Sequence, residues 1–255
     1  MIVIDNIFKS FDDLTVLNGI STQFEKGKTN LIIGQSGSGK TVFLKCMLGL
    51  LQIDSGSILF DGQLLKTMDT KQRIQLRQEM GMVFQGSALF DSMTVLENIL
   101  FPMRMFTKKT ESEMLDRANE VIKRVNLINA NDKMPDEISG GMKKRVAIGR
   151  AIVMNPKYLF CDEPNSGLDP NTAILIDELI QEITHEYNIT TVINTHDMNS
   201  VLQIGEKIIF LNGGYKAWEG TKTKIFETDN EALTHFVYSS DLLKKVRELQ
   251  LNEEL

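Results

Sequence analysis

The feature that most constrains the fold is a glycine-rich segment, Gly34–Thr41, which reads GQSGSGKT. It fits the phosphate-binding loop pattern G-x-x-x-x-G-K-[ST] at every fixed position. A short apolar run, Asn30–Ile33, precedes it, and a run with helical spacing of apolar residues, Val42–Leu48, follows it. Strand, glycine loop and helix in this order predict a phosphate site formed by backbone N–H groups and a helix N-terminus.

Side chains of this loop have predicted roles as well. Lys40 would contact the β- and γ-phosphates of a nucleotide, and the Thr41 hydroxyl would ligate Mg²⁺. The residues predicted to surround the phosphates are Gly34, Gln35, Ser36, Gly37, Ser38, Gly39, Lys40, Thr41 and Val42. A phosphate loop alone leaves hydrolysis, kinase chemistry and switching open.

A second motif narrows these choices. The apolar strand Tyr158–Cys161 ends in two adjacent acids, Asp162 and Glu163. Asp162 would hold Mg²⁺ through water. Because side chains alternate along a strand, Glu163 would point away from Asp162. It could then face the γ-phosphate and act as a general base toward an attacking water.

A third motif predicts a second anion site. Ser139-Gly140-Gly141 opens a predicted helix, Met142–Val153. Serine is a favoured N-cap, and the two glycines leave the first amides of the helix unhindered. The basic run after it, Lys143–Arg145, is interpreted as solvated or facing a second subunit.

The order of elements predicts the fold class. Strands alternate with helices through most of the chain, which favours a mostly parallel α/β core. Residues 1–33 are β-rich, and a helical stretch of about 86–157 predicts a separate subdomain, broken at Pro102 and at 107–112. Further strands are predicted at Thr190–Asn194 and Lys207–Leu211, and a polar helical tail after Gly213-Gly214.

Composition excludes several classes of protein. The net charge of −6 over 255 residues argues against broad affinity for nucleic acid. Cys46 and Cys161 both lie in apolar segments, which favours buried thiols over a disulfide. The chain has no run of about 18 apolar residues, so we expect it not to span a membrane by itself. Its N-terminus does not have the pattern of a signal peptide.

Taken together, the motifs resemble those of the nucleotide-binding subunits of ABC transporters over residues 2–225. Further segments carry the resemblance: the signature Ile138–Met142, the Q-loop Phe84-Gln85, the D-loop Ser166–Asp169, the switch histidine His196, and Phe11 at the position of an adenine-stacking aromatic.

The resemblance implies a fold and a chemistry. It implies the P-loop ABC ATPase fold: a mostly parallel core sheet, an antiparallel β subdomain and an inserted helical subdomain within 1–225, with a helical tail at 226–255. It implies ATP hydrolysis with Mg²⁺. Gln85 would ligate the metal and sense the γ-phosphate, and His196 would hold that phosphate and position either Glu163 or the attacking water.

The resemblance also implies partners. Two copies would pair head to tail, each ATP lying between the phosphate loop of one copy and the signature of the other. The residues expected on the signature side are Ser139, Gly140, Gly141 and Asp169. The homodimer would attach to an integral membrane permease and lie peripherally on the cytoplasmic face of the inner membrane.

Three local features favour one branch of the family. They are Ile138 and Met142 in the signature, the run Phe84–Ile99, and Met134–Glu137. They resemble the ATPases of Mce-associated phospholipid transport, which maintains outer-membrane lipid asymmetry with a periplasmic Mce-domain protein. Alternatives are a transporter of an amino acid or a lipoprotein, or a soluble ABC ATPase of translation or repair. A P-loop kinase would have no use for Ser139 and His196.

Overall fold

The structure, a computed structural model, describes residues 1–238. The strands are β1 Ile2–Phe11, β2 Leu14–Phe24, β3 Thr29–Ile33, β4 Ser55–Phe60, β5 Gln63–Leu64, β6 Met80–Val83, β7 Tyr158–Asp162, β8 Thr190–Thr195, β9 Lys207–Asn212 and β10 Tyr215–Gly220. The α-helices are α1 Lys40–Met47, α2 Thr70–Gln78, α3 Val95–Phe106, α4 Glu111–Arg124, α5 Gly140–Ile152, α6 Pro170–Glu186, α7 Met198–Ile204 and α8 Glu231–Val237.

A six-stranded sheet forms the centre of the molecule, in the order β10-β9-β3-β8-β7-β6. Strands β9, β3, β8, β7 and β6 are parallel, and β10 is antiparallel to β9. Every residue of β3 and of β8 is buried, as expected for parallel strands covered on both faces. Parallel strands end at one edge of a sheet, so the segments that follow them meet there.

The β-rich start of the chain forms a second sheet. Its four strands are antiparallel in the order β2-β1-β4-β5. Ile2, Ile4 and Ile7 of β1 are buried in a core shared with Phe43 of α1. The structure therefore has both the mostly parallel core sheet and the antiparallel sheet that were predicted.

Helices α3, α4 and α5 lie between β6 and β7 in the chain, within the stretch predicted to be helical. The break predicted at Pro102 is wrong, because α3 runs through it. Proline removes one backbone hydrogen bond, but the burial of Ile99 and Met103 on either side stabilises the helix. The break at 107–112 is confirmed as far as Thr110, which caps α4.

The segment after Gly213-Gly214 also differs from its prediction. Both glycines have positive φ, 55° and 83°, and they form a hairpin into β10 rather than leading directly to a helical tail. Helix α8 comes only after that strand. The predicted tail beyond residue 238 lies outside the described residues. Within residues 1–238, no helix is both long and apolar enough to cross a membrane.

Candidate functional site

The sheet brings four distant motifs to one edge. Strands β3, β8, β7 and β6 are consecutive neighbours and run in the same direction. The phosphate loop begins at Gly34, directly after β3, and His196 directly follows β8. Glu163 directly follows β7, and Gln85 lies two residues after β6. The loops therefore lie in this same order along the carboxyl edge.

The carboxylate of Glu163 lies between two polar side chains from neighbouring strands. Its Oε1 is 2.8 Å from Nδ1 of His196. Its Oε2 accepts a hydrogen bond of 3.2 Å from Nε2 of Gln85, which also donates to Oγ of Ser166 at 3.4 Å. Three of the residues predicted to carry the chemistry are thus in contact through one carboxylate.

The backbone leaves the strand geometry at Glu163. This residue has φ 47°, in the left-handed backbone region that residues other than glycine rarely adopt. Its N–H donates a hydrogen bond of 3.0 Å to the Asn194 carbonyl oxygen. The preceding Asp162 still belongs to β7, and its Oδ1 accepts a hydrogen bond of 3.0 Å from Asn194 Nδ2. The change of backbone conformation gives the two acids different partners.

The phosphate loop holds a buried ammonium group against its own carbonyls. Lys40 Nζ donates to Gly34 O at 2.7 Å and to Gln35 O at 2.9 Å. Burial lowers the pKa of Lys40, while the charges of Glu163 and Asp162 act in the opposite direction. Ser38 Oγ is buried with no hydrogen-bond partner among residues 1–238. A cation without a carboxylate partner and an unpaired hydroxyl fit a phosphate group.

The oxygen atoms near the loop fit Mg²⁺. The exposed Thr41 hydroxyl, the Gln85 side-chain amide and the Asp162 carboxylate are the hard donors that this ion prefers. Residues 1–238 contain no group of three or more His, Cys, Asp and Glu side chains placed to hold a metal. Mg²⁺ characteristically binds through one or two carboxylates plus substrate phosphates, so a sparse protein donor set is compatible with it.

The signature segment forms the helix N-terminus that was predicted. Ser139 caps α5, and its Oγ accepts a hydrogen bond of 3.3 Å from Met142 N–H. Asp169 likewise caps α6 through Thr172 N–H at 3.1 Å. Within residues 1–238, no hydrogen bond or ion pair joins the segment 138–142 to the phosphate loop. In the described part of the chain, the predicted second anion site thus has no direct bond to the phosphate loop.

Phe11, expected to stack on adenine, ends β1 with its ring exposed. Lys9 Nζ lies 5.2 Å from the centre of that ring.

The cysteine prediction is confirmed, because Cys46 and Cys161 are buried and unpaired. Burial raises the pKa of Cys46 to about 11.

The prediction for the basic run after the signature is wrong at Lys144. This residue is 5% exposed, and its Nζ donates to the Gln85 carbonyl oxygen. Arg150, farther along α5, donates to the carbonyl oxygens of Ser87 and Ala88, both at 2.8 Å. Lys144 shares a helix face with the buried apolar positions three, four and seven residues later, and that spacing was the available signal.

Comparison with known proteins gives a family match for residues 17–166, described as ABC transporter. The methionine import ATP-binding protein MetN of Campylobacter jejuni is 37% identical over 95% of this chain and 77% of its own length. The probable ribonucleotide transport ATP-binding protein mkl of Mycobacterium leprae is 35% identical over 92% of this chain and 68% of its own length.

Among solved structures, the dimer of MJ0796, a bacterial ABC transporter cassette, is similar with a TM-score of 0.79 and 30% identity. The match covers 87% of this chain and 99% of that one. The same cassette in a post-hydrolysis state with ADP and phosphate bound is similar with a TM-score of 0.78.

Proposed function

This chain belongs to the ABC transporter family as one of its ATP-hydrolysing subunits, and on that premise we propose that it powers phospholipid transport through a separate membrane permease. ATP is its substrate and Mg²⁺ its cofactor. The observation that supports the chemical part of the proposal most strongly is the Glu163 carboxylate held between His196 and Gln85.

In the proposed mechanism, Glu163 accepts a proton from the water that attacks the γ-phosphorus. The bond from that phosphorus to the β–γ bridging oxygen then breaks, and the products are ADP and inorganic phosphate. His196 orients Glu163 through the 2.8 Å contact and contacts the γ-phosphate. A carboxylate in this position is a general base, whose removal typically lowers turnover by about 10² to 10⁴-fold.

The phosphate loop would bind the triphosphate. Lys40 would exchange its two carbonyl partners for phosphate oxygens, and the unpaired Ser38 hydroxyl would donate to the same group. Thr41, Gln85 and Asp162 would hold Mg²⁺, which neutralises charge on the phosphates during transfer. Because the Gln85 amide bonds to Glu163 and would also help to hold the metal, it would connect the base to the nucleotide site.

We assign the second half of each site to another copy of the chain. Ser139 and the first amides of α5 would form an anion site, and within residues 1–238 they make no bond to the phosphate loop. A head-to-tail dimer would place that helix N-terminus on the γ-phosphate of the other copy, where its positive end stabilises negative charge. ATP would then hold the two copies together more tightly than ADP does.

An apolar groove beside the Q-loop supports a membrane partner. It has a volume of about 300 Å³ and is lined by aromatic residues that include Phe84, Phe90, Phe101 and Phe106. Phe84, Phe90 and Phe106 are among the exposed large apolar side chains of the described chain. Phe84, Ala88 and Phe90 of its lining belong to the run Phe84–Ile99, where the resemblance to the family places the contact with a helix of the permease.

The identity of the transported substrate is the more specific part of the proposal. Its support is the branch-specific run Phe84–Ile99 and the signature ends Ile138 and Met142. The similarity to MetN favours an amino-acid importer as the alternative, and mkl is named for ribonucleotides. Because the ATPase subunit does not touch the cargo, its relatives can share a site and differ in substrate. The proposed location is the cytoplasmic face of the inner membrane.

The test is purification of the tagged Glu163→Gln chain from detergent-solubilised native membranes in ATP and Mg²⁺. Mass spectrometry would identify the proteins and lipids that purify with it, and the tagged Ser139→Arg chain is the matched control. A multi-span permease with an Mce-domain protein and phospholipid would support the proposal. A permease with an amino-acid-binding protein would overturn the cargo, and only soluble partners such as ribosomes would overturn transport.

A further inference from the structure

A cluster of three buried polar side chains lies directly behind the catalytic turn. Asn165, Asp177 and Ser200 are 8%, 2% and 1% exposed. Asn165 Nδ2 donates to Ser200 Oγ at 2.8 Å and to Asp177 Oδ2 at 3.1 Å. A longer contact of 3.5 Å reaches Asp197 Oδ2. We name these three residues the Asn165 cluster.

The cluster joins the two segments that carry the proposed catalytic pair. Asn165 lies two residues after Glu163, in the turn that follows β7. Ser200 lies on α7, whose N-cap Asp197 directly follows His196. Asp177 lies on α6, and its carboxylate accepts a hydrogen bond from Asn165. One amide group therefore ties the turn of Glu163 to the helix that follows His196.

Stability alone does not account for this arrangement. Asp177 has no ion pair among residues 1–238, and its Oδ1 has no hydrogen-bond partner there. Burial raises the pKa of Asp177 to about 6 and the charge of Asp197 adds to this, while hydrogen bonds from Ser200 and Asn165 act in the opposite direction. Burying a carboxylate without a cation costs free energy that an apolar residue would not cost. Buried polar clusters of this kind instead restrict a structure to one arrangement.

Glu163 and His196, the proposed catalytic pair, need their relative position to be restricted in this way. Glu163 is held at φ 47°, which costs about 1 to 3 kcal/mol in a residue other than glycine and persists only where the surroundings hold it. Its partner His196 is exposed and lies at the end of a different strand. The bond from Glu163 N–H to the Asn194 carbonyl ties the start of the turn to β8, and the Asn165 cluster adds a second tie two residues farther along the turn.

We propose that the Asn165 cluster fixes the position of Glu163 relative to His196, with Asn165 and Asp177 acting as positioning residues for hydrolysis. The inference rests on the proposed role of Glu163 as the base. Neither residue touches the nucleotide in this account, so their removal changes the rate of the chemical step and leaves nucleotide binding in place.

Steady-state ATPase measurements on the purified full-length chain test this. Asn165→Ala and Asp177→Ala should each lower kcat by about 10- to 100-fold, with the KM for ATP within about twofold of the wild-type value. The double variant should be no slower than the slower single variant, because both residues act through one contact. Asp177→Asn keeps an acceptor oxygen for Asn165 and should keep most of kcat.

Asn30→Ala is the matched structural control. Asn30 is another fully buried asparagine with several hydrogen bonds, but it lies at the opposite end of β3 from the site. Its removal should lower the melting temperature with kcat unchanged. If Asn165→Ala does not fold, Ser200→Ala, which deletes one acceptor, should lower kcat in the same way.

Two results separate the inference from its premise. Wild-type kcat in Asn165→Ala, or multiplicative losses in the double variant, would overturn the positioning role. A Glu163→Gln chain that turns over at the wild-type rate would instead overturn the proposed base, on which the inference depends.

Discussion

At Gly34 the first turn of the phosphate loop leaves no space for a side chain. Its φ is 152°, and a Cβ there would lie 2.3 Å from the Leu211 carbonyl oxygen, which belongs to the backbone of β9. Gly34→Ala should therefore lower the free energy of unfolding by at least about 3 kcal/mol. Denaturant unfolding of the chain without nucleotide measures this loss.

Gly37 of the same loop is the control. It has φ 80°, but no atom lies within 4 Å of a Cβ built on it. Gly37→Ala should cost only the left-handed backbone strain, about 1 to 2 kcal/mol. Equal losses in the two variants would contradict the close approach of the loop to β9.

The pKa of Asp177 gives a prediction about pH. Because burial in the folded chain raises this pKa to about 6 from its ordinary value of 3.8, the folded state binds the proton more tightly. The contribution of Asp177 to stability therefore falls as the pH rises from about 4 to about 6. The free energy of unfolding of the wild type, relative to Asp177→Asn, should fall by roughly 1.4 kcal/mol per pH unit in this range.

Urea unfolding of both chains at several pH values measures that difference. Subtracting the variant removes the contribution of the other carboxylates, several of which have lowered pKa values. A difference that does not change with pH would mean that Asp177 titrates alike in the folded and unfolded chains.

At the scale of elements, α3 and α5 both contribute side chains to the proposed permease groove. Phe90 contacts Phe101 of α3 with ring centres 4.6 Å apart, and the Arg150 guanidinium lies 5.6 Å from the centre of the Phe90 ring. Phe90→Ala should weaken capture of the permease by roughly tenfold, because aromatic anchors dominate such interfaces. The ATPase rate of the isolated chain should change little.

Ile128→Ala is the control for this variant, since Ile128 is an exposed apolar residue outside the groove lining. Co-purification from membranes, measured for both variants against the wild type, is the readout. Equal capture by Phe90→Ala and the wild type would place the permease contact elsewhere.

The sequence alone predicted those elements whose residue pattern lies within one short segment. The loop Gly34–Thr41 with its strand and helix, the strand Tyr158–Cys161 and the N-cap Ser139 all have fixed spacing or periodicity. Pro102 misled the prediction because its effect depends on burial of its neighbours, which is a tertiary property. Strand β10 was missed because it follows two glycines that also favour a loop.

The contacts within the site could be predicted only partly from the sequence. Alternation along β7 predicted that Asp162 and Glu163 differ in direction, but the left-handed turn at Glu163 depends on its bond to Asn194 of another strand. The Asn165 cluster joins residues up to 35 positions apart in three elements, and none of them forms a motif. The order of strands in the sheet was needed to bring them together.

At the scale of the whole molecule, we expect each chain to contribute its phosphate loop to one ATP site and its signature segment to the other. Ser139→Arg would place a large cation at the N-terminus of α5, where it should block closure of the dimer by steric conflict and by repulsion from Lys40 of the other copy. ATP binding to the monomer, measured by fluorescent nucleotide, should be kept, while hydrolysis should fall to background. Ser112→Arg, at an exposed position of α4, is the charge-matched control. Normal hydrolysis by Ser139→Arg would contradict the composite site.

The central claim is that Glu163 performs hydrolysis in a site closed by two copies of the chain. Its most direct test is light scattering of the purified Glu163→Gln chain after gel filtration with ATP and Mg²⁺, with phosphate release followed in parallel. We expect an ATP-dependent dimer and a turnover at least about 100-fold below the wild type. A chain that stays monomeric with bound ATP, or that hydrolyses it at the wild-type rate, would show that Glu163 does not act as the base of a two-chain site.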